Sequence, residues 1–323
     1  MERRTGRELA KIRDSRQSAG TELLLVQRRM GCRGYHTHSR HERHHGDEPM
    51  KASPCKRFRD AFLVTVILGV AGCNRAPTPT AKVAVSNSYL GSAVSDLMGT
   101  EVPVLALAEP GTCPGHFDLR PSQVESLRAC KLVECFDFQR GLDQAAAVPG
   151  GAQAVTISVP EGMCVPQSYF AVCEQTASAL EKARLISHAT AGTKLQAIEQ
   201  RMAVNSAWAA NRLGDHYPAK VIANEHQADF CRRFGLPVIA TFSAADTATF
   251  EQINRVLQDS QGAGRLIVIA NKAEGAIVAQ ALADQLGAKL VVLDNFPEPE
   301  DGSPGFDALF RRNIDALALA VGR

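Results

Sequence analysis

The sequence lacks the short motifs that mark several common enzyme classes. It contains no GxGxxG or Walker-type loop and no GxSxG serine elbow, so nothing indicates a nucleotide-dependent enzyme or a serine hydrolase. Residues 82–323 also contain no HExxH and no CxxC. The apolar run Ala61–Gly72 is only a dozen residues long, and a helix needs about 20 to span a bilayer. The missing HExxH and CxxC motifs disfavour a metallohydrolase or a thiol redox enzyme.

Most of the chain also lacks an excess of positive charge. Residues 74–323 carry 21 Lys and Arg against 26 Asp and Glu, whereas residues 1–73 carry 15 against 8. Nucleic-acid binding needs a basic face. The mildly acidic body therefore predicts no nucleic-acid partner, and it weakly favours attraction of cations.

The first 49 residues are basic and rich in histidine, and they show no apolar periodicity. We interpret residues 1–49 as a disordered or non-native extension. A flexible histidine tract that binds metal is the alternative that this composition leaves open.

Residues 50–72 have the pattern of a secretory signal peptide. A basic start precedes the apolar core Ala61–Gly72, whose length suits an exported leader. Val70–Cys73 resembles a bacterial lipobox, which implies cleavage before Cys73 and lipid attachment to its sulfur. Residues 73–81 then form a polar tether. We expect an extracytoplasmic protein anchored to a bacterial membrane; an ordinary signal peptide with an incidental Cys73 is the alternative.

The body alternates short apolar runs with helical stretches. This alternation predicts an α/β fold with two lobes, 82–190 and 214–323, each a parallel sheet flanked by helices. One long helix over 191–213 joins them, and the ligand cleft is expected between the lobes. The predicted strands are Val83–Val85, Val102–Ala106, Leu132–Phe138, Ala154–Val159, Lys220–Ala223, Val238–Phe242, Leu266–Ala270 and Lys289–Asp294.

Six side chains that can ligate metal fall at or just beyond the carboxyl ends of these strands, where open α/β sheets bind ligands. They are Cys113, His116, Glu161, Cys164, His226 and Asp294. Imidazole, thiolate and carboxylate are ligands for zinc-like ions. Four protein ligands would close the coordination shell, so such a site binds rather than catalyses.

The order of these features resembles the metal-binding solute-binding lipoproteins of ABC importers, of the zinc and manganese class. The resemblance rests on Pro110–Phe117, on Val221–His226 and on Ala283–Asp294. It implies a protein that is not an enzyme and that captures a divalent transition metal, zinc first and manganese second. It also implies delivery to an ABC permease, and we expect a monomer.

The resemblance further implies four ligands, two from each lobe. By position these are His116, His226 and Asp294, while the expected second histidine is replaced by Glu161 with Cys164 nearby. Cys113 also departs from the pattern. Cys113 and Cys164 can either ligate metal or form a disulfide with each other, and Glu225 can ligate or can orient His226.

Two other functions remain open at this point. One is a secreted metal-dependent or thiol-dependent enzyme that uses Cys113, and the other is a surface protein of this fold with altered or lost metal binding, because the second histidine is missing. The remaining body cysteines lie in apolar runs or helices and are expected in the core. These are Cys130, Cys135, Cys173 and Cys231.

Overall fold

Eight strands form two four-stranded sheets in the computed structural model, which describes residues 81–108, 121–139, 152–214, 219–298 and 305–322. Every strand pair is parallel. The first sheet has the order β2-β1-β3-β4 and the second the order β6-β5-β7-β8. The strands are β1 Val83–Val85, β2 Val104–Ala106, β3 Leu132–Phe136, β4 Gln153–Ile157, β5 Lys220–Asn224, β6 Val238–Phe242, β7 Leu266–Asn271 and β8 Lys289–Leu293.

The helices flank these sheets, so the predicted α/β class with two parallel sheets is confirmed. They are α1 Ser88–Met98, α2 Pro121–Leu127, α3 Pro166–Lys182, α4 His188–Leu213, α5 Glu225–Arg233, α6 Phe250–Asp259, α7 Ile277–Leu286 and α8 Gly305–Val321, with a 3₁₀ turn at Lys272–Glu274. Within the described part of the chain, no helix combines the length and the hydropathy needed to cross a bilayer.

Burial follows strand position. Every residue of the inner strands β1 and β7 is buried, as expected for parallel strands covered on both faces. The edge strands β4 and β6 are only partly buried. This difference explains why the apolar runs of the inner strands are the clearest strand signals in the sequence.

Helix α1 is the element that the sequence analysis did not predict. Its serines and glycine weaken the helical signal, yet its buried residues recur at helical spacing, at Tyr89, Leu90, Ala93, Val94 and Leu97. Asn87 begins the helix because its side-chain oxygen accepts hydrogen bonds from the backbone N–H groups of Tyr89 and Leu90.

One apolar core runs through both lobes. It contains residues of both sheets and of α1, α3, α4 and α8. The ring of Phe306, at the start of α8, stacks on Tyr169 of α3 with 3.9 Å between centroids and meets the edge of Tyr89 of α1. The C-terminal helix therefore packs against helices of the N-terminal lobe and fixes one lobe against the other.

A polar network at the linker helix α4 connects the helices α1, α3 and α8. The guanidinium of Arg201 pairs with Asp96 of α1 and, at 3.2 Å, with Asp307 of α8. Tyr169 also donates a hydrogen bond to Asp96 at 2.7 Å, and Asn205 donates one to Asp307 at 3.0 Å. The two carboxylates are largely buried, so Arg201 is needed to compensate them.

Strand β3 places a carboxyl group inside the N-terminal lobe. Glu134 is fully buried, and Thr176 of α3 donates a hydrogen bond to its Oε2 at 3.2 Å. Among the described residues its Oε1 has no hydrogen-bond partner. Burial raises the pKa of Glu134 to about 8, because desolvation penalises the charged form.

Replacing Arg201 with Met tests the network at α4. We expect a loss of about 3–5 kcal/mol in the free energy of unfolding, since the largely buried Asp96 and Asp307 lose the guanidinium that pairs with both. Urea unfolding followed by circular dichroism measures it. The matched control is Arg212→Met, because the Arg212–Asp315 pair is more exposed and should contribute only about 0–1 kcal/mol. Equal losses in the two variants would contradict this account.

Replacing Glu134 with Gln tests the buried carboxyl. The folded-state pKa lies above the unfolded one, so Glu134 supports folding below about pH 4.5 and loses that contribution as the pH rises through 8. Between these values the wild-type stability should fall by up to about 1.4 kcal/mol per pH unit from this group. Urea unfolding at pH 5 and pH 8 should show a smaller decrease in Glu134→Gln. The exposed-site variant Glu199→Gln is the control, and an unchanged slope in Glu134→Gln would refute the assignment.

Candidate functional site

A cavity of about 370 Å³ opens between the two lobes at the carboxyl ends of their strands. The N-terminal lobe contributes residues that follow β3 and β4, and the C-terminal lobe contributes residues that follow β5, β7 and β8. Its lining is Phe138, Val159, Pro160, Gly162, Met163, Glu225, His226, Asp229, Asn271, Ala273, Glu274, Asn295 and Phe296. The cavity therefore lies where a two-lobed α/β protein is expected to bind its ligand.

His226 stands at the start of α5, directly after β5. Asn224 fixes this start by accepting a hydrogen bond from the backbone N–H of His226 at 3.0 Å. The imidazole is 60% exposed, and its Nε2 lies 3.1 Å from Oε1 of Glu274. The neighbouring Glu225 is also exposed, and its Oε2 accepts a hydrogen bond from Ser243 at 3.2 Å.

Glu274 is a site residue that the sequence analysis missed. It ends the 3₁₀ turn after β7, and its side chain is only 10% exposed. The amide of Asn224 donates to its Oε2 at 2.8 Å and that of Asn271 donates to its Oε1 at 2.9 Å. The same rule that selected His226 and Asp294, proximity to a strand end, would also have selected Glu274.

Asp294 directly follows β8, and its carboxylate is almost fully buried. Oδ1 accepts the backbone N–H of Phe296 at 3.1 Å, and Oδ2 lies 3.1 Å from the ammonium of Lys272. Lys272 also pairs with Glu298. Asp294 thus already has a cationic partner within the protein.

Cys164 is fully buried between the lobes and is a free thiol, while Cys113, its predicted alternative partner, lies outside the described residues. Its Sγ donates to the main-chain oxygen of Asp294 at 2.9 Å and receives a hydrogen bond from Asn313 at 3.2 Å. It is not among the residues that line the cavity. The contacts of this thiol therefore belong to the interface between the lobes.

Glu161 is exposed and is not among the residues that line the His226 cavity, although its neighbours Pro160 and Gly162 are. It lines a second depression together with Pro160, Gln167, Ser168 and Arg233. Its backbone is held by Ser168, whose hydroxyl donates to the main-chain oxygen of Glu161 at 2.6 Å.

The structure brings together two of the predicted or newly found donors, His226 and Glu274. Cys113, His116 and the lipidation residue Cys73 lie outside the described residues. Across the described ranges, no three His, Cys, Asp or Glu side chains form a group that could hold a metal ion. A complete shell therefore needs donors of another type or from another part of the chain.

Comparison with known proteins gives one family and many similar folds. Residues 83–320 match the family described as zinc-uptake complex component A, periplasmic. A search of curated proteins finds no match.

Three solved structures illustrate the fold similarity. A crystal structure of ZnuA aligns with a TM-score of 0.62 at 14% identity, over 75% of this chain and all of the other. FpvC from Pseudomonas aeruginosa in complex with Mn²⁺ gives 0.63 at 15% identity, over 75% and 98%. The Mn-bound periplasmic metal-binding protein from Candidatus Liberibacter asiaticus gives 0.63 at 12% identity, over 74% and 98%. At these identities the structures show a shared fold.

The buried cysteines should resist alkylation in the folded protein. Burial raises the pKa of Cys231 to about 12 and also raises the pKa values of Cys164 and Cys173, so little reactive thiolate is present at pH 8. We expect iodoacetamide to leave these three unmodified natively and to label them in urea, as measured by peptide mass spectrometry. Rapid native labelling of Cys164 would instead indicate a thiol open to the cavity.

Proposed function

Because the chain belongs to the family of periplasmic zinc-uptake components, we propose that it captures a divalent transition-metal ion in the interlobe cavity and delivers it to an ABC permease. Members of this family are metal-binding solute-binding proteins and not enzymes, as the sequence predicted. The metal ion is then the cargo of the protein.

The charge of the cavity lining is the observation that carries this proposal. The described lining residues include His226 and three carboxylates, Glu225, Asp229 and Glu274, and they include no Lys or Arg. A cleft lined by one sign of charge raises the local concentration of the opposite ion. Imidazole nitrogen and carboxylate oxygen are ligands for both zinc and manganese.

We propose His116 and His226 as the histidine ligands, one from each lobe. His226 lines the cavity, and His116 follows β2 in the sequence. Zinc is the first choice because the family description names it. Manganese is the second, since two similar structures carry it.

We also propose that lipid attached to Cys73 holds the protein at the membrane and that the protein acts as a monomer. The family is periplasmic, which supports an extracytoplasmic location. The lipobox-like Val70–Cys73 and the polar tether after it support the anchor.

Replacing His226 with Ala should weaken zinc binding by at least about 100-fold, because one coordinating nitrogen is lost. Isothermal titration calorimetry on the full chain with Zn²⁺, and separately with Mn²⁺, measures this. The matched control is His188→Ala: His188 is 93% exposed at the start of α4 and pairs only with Glu181 among its described contacts. It should bind as the wild type does.

Two results would overturn the proposed function. If the wild-type protein binds neither ion, the surface protein that has lost metal binding becomes the better description. If His226→Ala retains wild-type affinity, the ion does not bind in this cavity.

A further inference from the structure

We propose that Glu274, rather than Asp294, is the carboxylate ligand that the C-terminal lobe supplies to the metal ion. This inference rests on the proposed function, and it concerns which carboxylate completes the site.

Asp294 is occupied by partners within the protein. Its Oδ2 lies 3.1 Å from Lys272 Nζ in an ion pair that lacks hydrogen-bond geometry, its Oδ1 accepts the backbone N–H of Phe296, and its side chain is 9% exposed. A metal ion at this carboxylate would have to displace an ammonium that Glu298 also holds in place. A second cation beside that ammonium is opposed by like-charge repulsion.

Glu274 has the geometry that Asp294 lacks. Its Oε1 lies 3.1 Å from His226 Nε2, and both residues line the cavity. Two ligand atoms about 2 Å from a shared ion in a tetrahedral site are roughly 3.3 Å apart. Nitrogen and oxygen donors are therefore already at nearly the separation that a common ion requires.

The surroundings of Glu274 are those of a positioned ligand. Asn224 and Asn271 each donate a hydrogen bond to one of its oxygens, which fixes the plane of the carboxylate and leaves each oxygen a further lone pair. Ligating carboxylates in metal sites are typically held in this way. The two asparagines lie at the ends of β5 and β7, so rigid strands position the ligand.

Asn271 adds an independent observation. It is buried, it lines the cavity, and its Oδ1 has no hydrogen-bond partner among the described residues. An unsatisfied buried amide oxygen is costly unless something occupies its lone pairs. Amide oxygens bind divalent cations, so Asn271 supplies a third donor next to His226 and Glu274.

The 3₁₀ turn after β7 determines which of the two carboxylates, Glu274 or Asp294, is available to a metal ion. Lys272 and Glu274 are two residues apart in the 3₁₀ turn after β7. The ammonium of Lys272 pairs with Asp294, while the carboxylate of Glu274 lies beside the imidazole of His226. Asp294, after β8, is therefore paired within the protein, and Glu274, after β7, supplies the carboxylate at the cavity.

The test compares Glu274→Gln with Asp294→Asn in the full chain. Glu274→Gln keeps the shape and can still accept one amide hydrogen bond, yet it removes the charged donor. We expect zinc affinity to fall at least about 100-fold in Glu274→Gln and to change less than about 3-fold in Asp294→Asn. Glu251→Gln, at an exposed site on α6, is the control and should match the wild type.

A second readout separates a ligand from a residue that only orients His226. Cobalt absorption spectra report the donor set, so they should change in Glu274→Gln and stay unchanged in Asp294→Asn. If Glu274→Gln does not fold by circular dichroism, Glu274→Asp replaces it; the shorter side chain withdraws the oxygens from His226 and should also weaken binding and alter the spectrum.

The outcomes distinguish the inference from the proposed function. Strong loss in Asp294→Asn with little loss in Glu274→Gln overturns the inference. An unchanged cobalt spectrum in Glu274→Gln also overturns it, since Glu274 then only orients the imidazole. In both cases the function stands as long as the wild type binds metal and His226→Ala does not. A wild type that binds neither zinc nor manganese overturns both.

Discussion

The apolar core shared by the two lobes is the constraint on which the site depends. Phe306 stacks on Tyr169 across the lobes, and the loop after β4 approaches α5 so closely that a Cβ at Gly162 would lie 3.2 Å from Cβ of Asp229. The two walls of the cavity are thereby held by apolar packing together with the polar contacts of Arg201 and Cys164. A ligand that binds between preformed walls does not have to order them, which favours affinity.

The sequence predicted the sheets well because their signal is local. All eight strands coincide with apolar runs, which are buried along their whole length in β1, β3 and β7, and parallel pairing follows from the alternation with helices. Helix α1 was missed because serine and glycine obscure its apolar spacing. Its start depends on one side chain, Asn87, whose capping role is visible only when the backbone is known.

Part of the cavity lining was predictable for the same reason. The rule that selects side chains just after a strand, a local property, led to His226, which lines the cavity, and also to Asp294, which does not. The roles of Glu274 and Lys272 depend on which strands are neighbours: the order β6-β5-β7-β8 puts the end of β7 between those of β5 and β8. The turn after β7 can therefore contact Asn224 on one side and Asp294 on the other. The burial of Cys164 likewise results from packing against Asn313, 149 residues away.

The Arg201 network also bears on the lifetime of the native state. Asp96 and Arg201 are 105 residues apart, so their contact closes a long loop and carries a large entropic cost during folding. Contacts of this kind that form after the rate-limiting step act mainly by slowing unfolding. Helix α4 thus connects the first and the last of the described helices, and where its contacts form after that step they lengthen the lifetime of the native state more than they change the speed of its formation.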